Sequence, residues 1–323
     1  MFSRIGLQNV GNTCFINCSI QFLKLMVPLN KALDDPHILA ELEALNTPES
    51  RLWLEWNDLR KFIVCGGGDK QVSPKRFVYF IRLIAGHKRM DSLSCNNAQG
   101  DIVEFFHFFF SQPEKKTPLD FTVLWAGTQP QYISEILDIH DASRVLSSTI
   151  ENYSILDLEI PVDLRLPKIT IYDCLDDHTC SEILDGDNEW WNEARQRRQP
   201  IQKRLRFLSF PKILIIALKR FTPDGGSKVR DRVHYPLDNL DLNRYLGRQG
   251  ARKRGQTAKA TNVFDLYGVC YHLGMLHGGH YTSAIRDPCT NEWSYYDDAN
   301  FEKIANIDNV VSENAYCLLY IMR

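Results

Sequence analysis

Cys14 stands at the end of a turn and the start of a helix. The run is Gly6-Leu7-Gln8-Asn9-Val10-Gly11-Asn12-Thr13-Cys14-Phe15-Ile16-Asn17-Cys18, in which glycine and asparagine supply the turn and the spacing of Phe15, Cys18, Phe22 and Leu25 begins the helix. A cysteine in a first helical turn lies beside unpaired N–H groups and the positive end of the helix dipole. Both favour the thiolate, the form that attacks carbonyls. The same position also suits a small packed hydrophobe, and Cys18, one turn further on, is expected to be packed. Near the other end of the chain stands His277-Gly278-Gly279-His280-Tyr281. If 281–286 and 292–296 form a hairpin turning at Asp287-Pro288-Cys289-Thr290-Asn291, His280 and Asp297 face each other with β-carbons roughly 5 Å apart. The carboxylate would then orient one imidazole nitrogen and leave the other to act as a base, the set that nucleophilic cysteine hydrolysis requires. The two glycines before His280 would let a substrate backbone pass closely. A histidine in a strand is also commonly structural, so the residues alone leave both readings open.

The elements that must position these groups fall into two textures. Up to about residue 113 apolar residues recur at three- and four-residue spacings, as in Leu52, Trp56, Leu59 and Ile63, or in Phe77, Phe80, Ile81 and Ile84 after Ser73-Pro74, a cap followed by proline at the first helical position. These stripes, with Trp53 and Trp56, read as core packing. From about Phe121 the pattern changes to alternation: Leu156, Leu158 and Ile160, then Ile169 and Ile171. The apolar run 210–218 reads as a strand buried on both faces near the centre of a sheet, with further strands at 262–272, 281–286, 293–296 and 315–322. Helices first and strands afterwards imply an α+β fold. Residues 243–261 carry six basic side chains and no acid, the composition of a solvated loop; Arg252-Lys253-Arg254 is weak evidence for a nuclear-import or phosphate patch. The acidic stretch 173–193 and the basic run 195–206 are read as opposite charges on neighbouring strands.

Composition bounds the answer. The 323 residues are 44% hydrophobic and 24% charged, ordinary globular usage, with 38 basic against 40 acidic side chains. A formal charge of −2 argues against a general polyanion binder, so no nucleic-acid partner is expected. No run approaches the roughly 18 apolar residues of a spanning helix, and the first residues lack a signal peptide's apolar stretch. No membrane partner is expected either. Nine cysteines without framework spacing suit a reducing location, cytoplasmic or nuclear.

The segment Gly6 to Cys18 resembles the cysteine box of the ubiquitin-specific proteases, and Tyr267-Gly268-Val269 through His272-Leu273-Gly274 to Gly278-Gly279-His280-Tyr281-Thr282, with Trp293 to Asp298, resembles their histidine box. Gln99, Asp101, Glu104 and Phe105 are similar to the family's Gln-Asp-Glu-Phe helix, Leu218-Lys219-Arg220-Phe221 to its strand motif, and Ala315-Tyr316-Cys317-Leu318-Leu319-Tyr320 to its closing strand. The resemblance runs the length of the chain. It implies a papain-like cysteine protease fold built as a hand: a single catalytic domain over 1–323, with a helical thumb at 1–120, β fingers at 121–205 and a β palm at 206–323. It further implies Cys14 as nucleophile, His280 as general base and acid, Asp297 as orienting residue, and Asn9 as oxyanion donor. Asp298 would support the oxyanion water or share the orienting task. Asp101 and Glu104 would meet the arginines of ubiquitin's Leu-Arg-Gly-Gly tail, with Gln99, His272, Gly279 and Tyr281 lining its path. For the two acids an N-cap and a surface salt bridge are the alternative.

The chain departs from the family in having no Cys-x-x-Cys pair, where many relatives bind a fingertip zinc. Cys174, His178 and Cys180 are too irregularly spaced for a tetrahedral site, so no metal and no cofactor are expected. The implied function is a monomeric bare catalytic core, a thiol deubiquitinase acting on ubiquitin and ubiquitinated proteins through a thioester. The alternatives are a catalytically weak ubiquitin-binding scaffold and a protease for a ubiquitin-like modifier.

Overall fold

The structure, a computed structural model, describes residues 4–65, 71–96, 98–112, 119, 129–162, 166–222, 226–247, 262–275 and 278–323. His277 and the 248–261 part of the basic segment lie outside the described residues.

The first third is helical: α1 (Cys14–Leu23), α2 (Val27–Ala32), α3 (Pro36–Leu45), α4 (Pro48–Cys65), α5 (Lys75–His87), α6 (Asp91–Ser94) and α7 (Ile102–Phe110), with a short parallel pair β1 (Gly6–Leu7) and β2 (Gln71–Val72) beside them. The sequence of α7, Ile-Val-Glu-Phe-Phe-His-Phe-Phe-Phe, is apolar nearly all round, and a helix of that kind must be enclosed. Phe105, Phe106, Phe108, Phe109 and Phe110 are indeed buried, with Phe109 tilted against Trp53 at 4.6 Å and stacked on Phe105 at 5.6 Å. Trp53 and Trp56 are core residues, as their spacing indicates. Helix α5 begins one residue later than expected, with Pro74 rather than Ser73 at the N-cap.

Four strands make the fingers: β3 (Gln131–Asp138), β4 (Val145–Asn152), β7 (Glu182–Leu184) and β10 (Ile201–Ser209), in the order β4-β3-β10-β7. The expected charge pairing is realised only in part. Lys203 stands opposite Glu182, while Arg204 and Arg206 both turn to Glu135 on β3. A small hairpin of β8 (Trp190–Asn192) and β9 (Arg197–Gln199) occupies the fingertip, where the buried Asn192 amide donates to Gln199 Oε1 at 3.3 Å.

The alternation expected through Ile171 ends early. Strand β6 (Ile169–Thr170), paired in parallel with β12 (Val233–His234), gives way to α8 (Ile171–Thr179). Thr170 and Asp173 form a capping box there: the Thr170 N–H donates to Asp173 Oδ2 and the Asp173 N–H to Thr170 Oγ1. On α8 Cys174 is buried and His178 stacks against Phe207, while Cys180 beyond it is exposed.

The palm sheet takes in β5 (Leu156–Glu159), from the span expected to form the fingers, together with β11 (Ile213–Lys219), β14 (Val263–Met275), β15 (Gly278–Arg286), β16 (Trp293–Asp297), β17 (Asn300–Lys303) and β18 (Ala315–Met322). They form one sheet in the order β17-β16-β15-β14-β18-β11-β5, with β13 (Leu240–Asp241) also on β14. Strand β11 is buried on both faces but lies one strand from the edge, pairing in parallel with β5 rather than sitting at the centre. Two cores lie on the two faces. Cys270, Tyr281, Ile285 and Cys317 face the thumb helices, and Val269, Tyr271, Ala284 and Trp293 face the second core with Phe207 and Phe210. Arg220, at the end of β11, is fully buried and donates to the carbonyls of Ala315, Val229 and Asp231, tying β11 to β18 and the following loop.

Candidate active site

All ten residues of α1 are buried, and the helix packs against β15. Cys14 is the first helical residue, and the turn before it is held by Asn9, whose Oδ1 accepts from the Gly11 N–H at 3.1 Å and the Thr13 N–H at 3.2 Å. Burial pushes the Cys14 thiol up to about 11, against the pull of the Tyr281 and Phe15 backbone N–H groups. The direction is opposite to the one expected from a helix start: loss of solvent outweighs the local dipoles. Those amides nevertheless place the thiol against Tyr281, the residue after His280.

His280 Nε2 lies 2.6 Å from Asp297 Oδ1. The hairpin register differs from the expected one by two residues, since Ser283 pairs with Tyr296 and Arg286 with Trp293. A shift of two preserves the face on which each side chain projects, so histidine and carboxylate still meet, diagonally rather than directly across. With Nε2 on the carboxylate, Nδ1 is the ring nitrogen left for proton transfer.

Asp298 adopts the left-handed region at φ +47 and directs its carboxylate at two amides: Oδ2 accepts from Asn9 Nδ2 at 2.9 Å, and Oδ1 from Asn17 Nδ2 at 2.8 Å. Its backbone carbonyl accepts from the Leu7 N–H at 2.7 Å. Sequence reasoning misses Asn17; the signal that could have found it is an amide three residues after Cys14 on a mostly apolar helix that also carries Ser19 and Gln21. His280, Asp297 and Asp298 are also the one group of three potential metal ligands among the described residues, within 4.8 Å of one another. Their hydrogen bonds account for that grouping.

The expected tail-lining residues divide. Asp101 caps α7, its Oδ1 accepting from the Val103 and Glu104 N–H groups and its Oδ2 from the phenols of Tyr281 (3.0 Å) and Tyr316 (2.7 Å). Its carboxylate is therefore occupied, which is the capping alternative, whereas Glu104 keeps its carboxylate without a partner among the described residues. The side chains of Tyr281 and His272 are both buried, in contact with each other and with Tyr316. Burial and the neighbouring Lys228 ammonium depress His272 to about 4, so the ring is neutral. Gly279 donates its N–H to Gln99 Oε1 at 2.8 Å, which ties the thumb to β15 one residue before His280. A cavity of about 390 Å³ opens between α7 and the palm, walled by Asp101, Glu104, Asp157, Lys219 and Tyr316.

A family model described as ubiquitin carboxyl-terminal hydrolase matches residues 5–320. The chain belongs to that family. As a member of that family it is classed with the cysteine peptidases, and its α+β architecture is the papain-like fold of the ubiquitin-specific proteases. It is similar to Ubiquitin carboxyl-terminal hydrolase 4 of Saccharomyces cerevisiae, 28% identical over 98% of this chain and 39% of that protein. It is likewise similar to Ubiquitin carboxyl-terminal hydrolase 2 of Bos taurus (28% identical) and of Homo sapiens (27%), over 98% of this chain and 54% of each. The chain thus spans about two fifths to one half the length of these curated relatives.

Proposed function

We propose that this chain is a thiol deubiquitinase that hydrolyses the isopeptide or peptide bond after the C-terminal glycine of ubiquitin. The observation that carries the reading is the 2.6 Å contact of His280 with Asp297 on the strand whose next amide, at Tyr281, meets the Cys14 thiol. A thiol held near 11 is only about one part in ten thousand thiolate at pH 7. The nucleophile is therefore made at the moment of attack: His280 takes the Cys14 proton while Asp297 stabilises the imidazolium. The sulfur bonds to the glycine carbonyl carbon, the carbonyl oxygen becomes an oxyanion, and the Asn9 amide stabilises it. Collapse of this intermediate breaks the C–N bond, and His280 returns the proton to the departing amine, leaving a thioester. Water then gives a proton to His280 and adds to the thioester carbon. The C–S bond breaks, and the thiol regains the proton. The acidic cavity at Glu104 and Asp157 is suited to a basic tail such as Leu-Arg-Gly-Gly. The need for a reduced Cys14 fits the cytoplasm or nucleus.

The test is hydrolysis of ubiquitin bearing a fluorescent C-terminal leaving group, comparing the protein with Cys14→Ala under reducing conditions. Turnover lost in the variant, with ubiquitin binding kept, supports the proposal; equal turnover in both overturns it.

A further inference from the structure

Asn17 is 3% exposed on α1, with its Nδ2 aimed out of the helix at Asp298 Oδ1 (2.8 Å) and at the carbonyls of Leu7 (3.2 Å) and Gln8 (3.4 Å). Its Oδ1 has no partner among the described residues. A buried acceptor left unpaired is costly, on the order of 1–3 kcal/mol, and leucine would fill the same volume without that cost. The position therefore serves the donors of the amide. Their strongest acceptor is the carboxylate that also receives Asn9. Asn9 is in turn fixed at its other end by the Thr13 N–H, so the chain of contacts runs Asn17, Asp298, Asn9 and then the residue before Cys14.

We infer that Asn17 is a positioning residue for the oxyanion site, acting through Asp298 to set the direction of the Asn9 amide. One hydrogen on Asn9 Nδ2 is spent on Asp298, and its direction determines where the other points. Without Asn17, the Asp298 Oδ1 loses its buried donor, and a carboxylate on a half-buried, left-handed turn residue swings towards water. Asn9 then loses its reference. The inference rests on the mechanism above for the oxyanion role of Asn9.

The experiment compares two reactions of Cys14 in the whole protein, each read on the Cys14 peptide by mass spectrometry. Acylation by p-nitrophenyl acetate forms the C–S bond through an oxyanion and expels p-nitrophenolate. Alkylation by iodoacetamide forms a C–S bond and expels iodide with no oxyanion. In Asn17→Leu the acylation rate is expected to fall about tenfold or more, a fraction of the loss on removing such a donor outright, with alkylation within about twofold of the parent. In an Asn9→Ala background, Asn17→Leu is expected to change acylation no further. Equal loss of acylation and alkylation, unchanged acylation, or full additivity with Asn9→Ala would overturn the inference. Asn17→Ser, too short to reach Asp298, is measured in the same way if the leucine variant does not fold. Because neither reagent contains ubiquitin, failure to cleave ubiquitin would count against the proposed substrate and leave this comparison readable.

Discussion

Gly279→Ala is expected to disable the site by moving the strand that carries its base. A β-carbon on Gly279 would lie 2.3 Å from His272 Nε2, 2.5 Å from His272 Cε1 and 2.6 Å from Leu273 O, where ordinary contact begins near 3.4 Å. The clash is thus about 1 Å deep on two sides. His272 cannot swing aside, since its ring is packed against Tyr281 at 4.6 Å and Phe221 at 5.3 Å. Leu273 O is backbone of the paired strand β14, so β15 must shift by on the order of 1 Å, stretching the Gly279–Gln99 hydrogen bond and carrying His280 with it. Overpacking of this kind costs about 1–3 kcal/mol in stability, and an ångström of displacement at a reacting group costs on the order of 100-fold in rate. The assay is kcat/KM on ubiquitin with a fluorescent leaving group, beside a thermal melt. Gly278→Ala is the control, because a β-carbon there meets nothing within 4 Å. Alkylation of Cys14 by iodoacetamide separates a displaced base from a blocked substrate path, since so small a reagent needs no path; it is expected to slow as well. A folded Gly279→Ala protein with kcat/KM within about threefold of the parent would refute the reasoning.

Two further outcomes follow from buried polar groups. Arg220→Ala strips donors from the buried Ala315 carbonyl and from the partly buried contacts with the Val229 and Asp231 carbonyls, and is expected to cost about 2–3 kcal/mol in urea unfolding, with Arg220→Lys recovering little because an ammonium lacks the guanidinium's fork; a loss under about 1 kcal/mol would contradict this account. His272 is neutral in the fold down to about pH 4, whereas an unfolded histidine takes its proton near 6.5. Between those values the unfolded state binds more protons, so stability falls as pH drops from about 6.5 to about 4. Thermal melts across that range are expected to show a smaller acid-side loss in His272→Gln than in the parent, and parallel curves would exclude His272 as the cause.

Several features are legible in the amino-acid sequence because they depend on neighbours in the chain. The turn ahead of Cys14, the strand carrying His280 and the closing strand 315–322 each follow from local spacing, and α1 and β18 lie where that spacing puts them. The departure at Ile171 is also local: Thr170 and Asp173 cap a helix more strongly than two alternating isoleucines extend a strand. Other features cannot be read that way. Tyr281 and His272 are the polar, aromatic types that line binding grooves, yet both are turned into the core by the strand parity of β14 and β15.

Local sequence dictates which groups are available for chemistry and on which kind of element each sits, since the turn, the helix start and strand parity are set within a few residues. The state of those groups is a property of the closed fold. Folding sets the two-residue difference in the hairpin register, and the burial that drives the Cys14 thiol upward where the helix dipole alone would lower it. It also brings Asn17 and Asp298, 281 positions apart, to within 2.8 Å. These are sums over atoms distant in sequence, and such sums exist only once the chain has closed on itself.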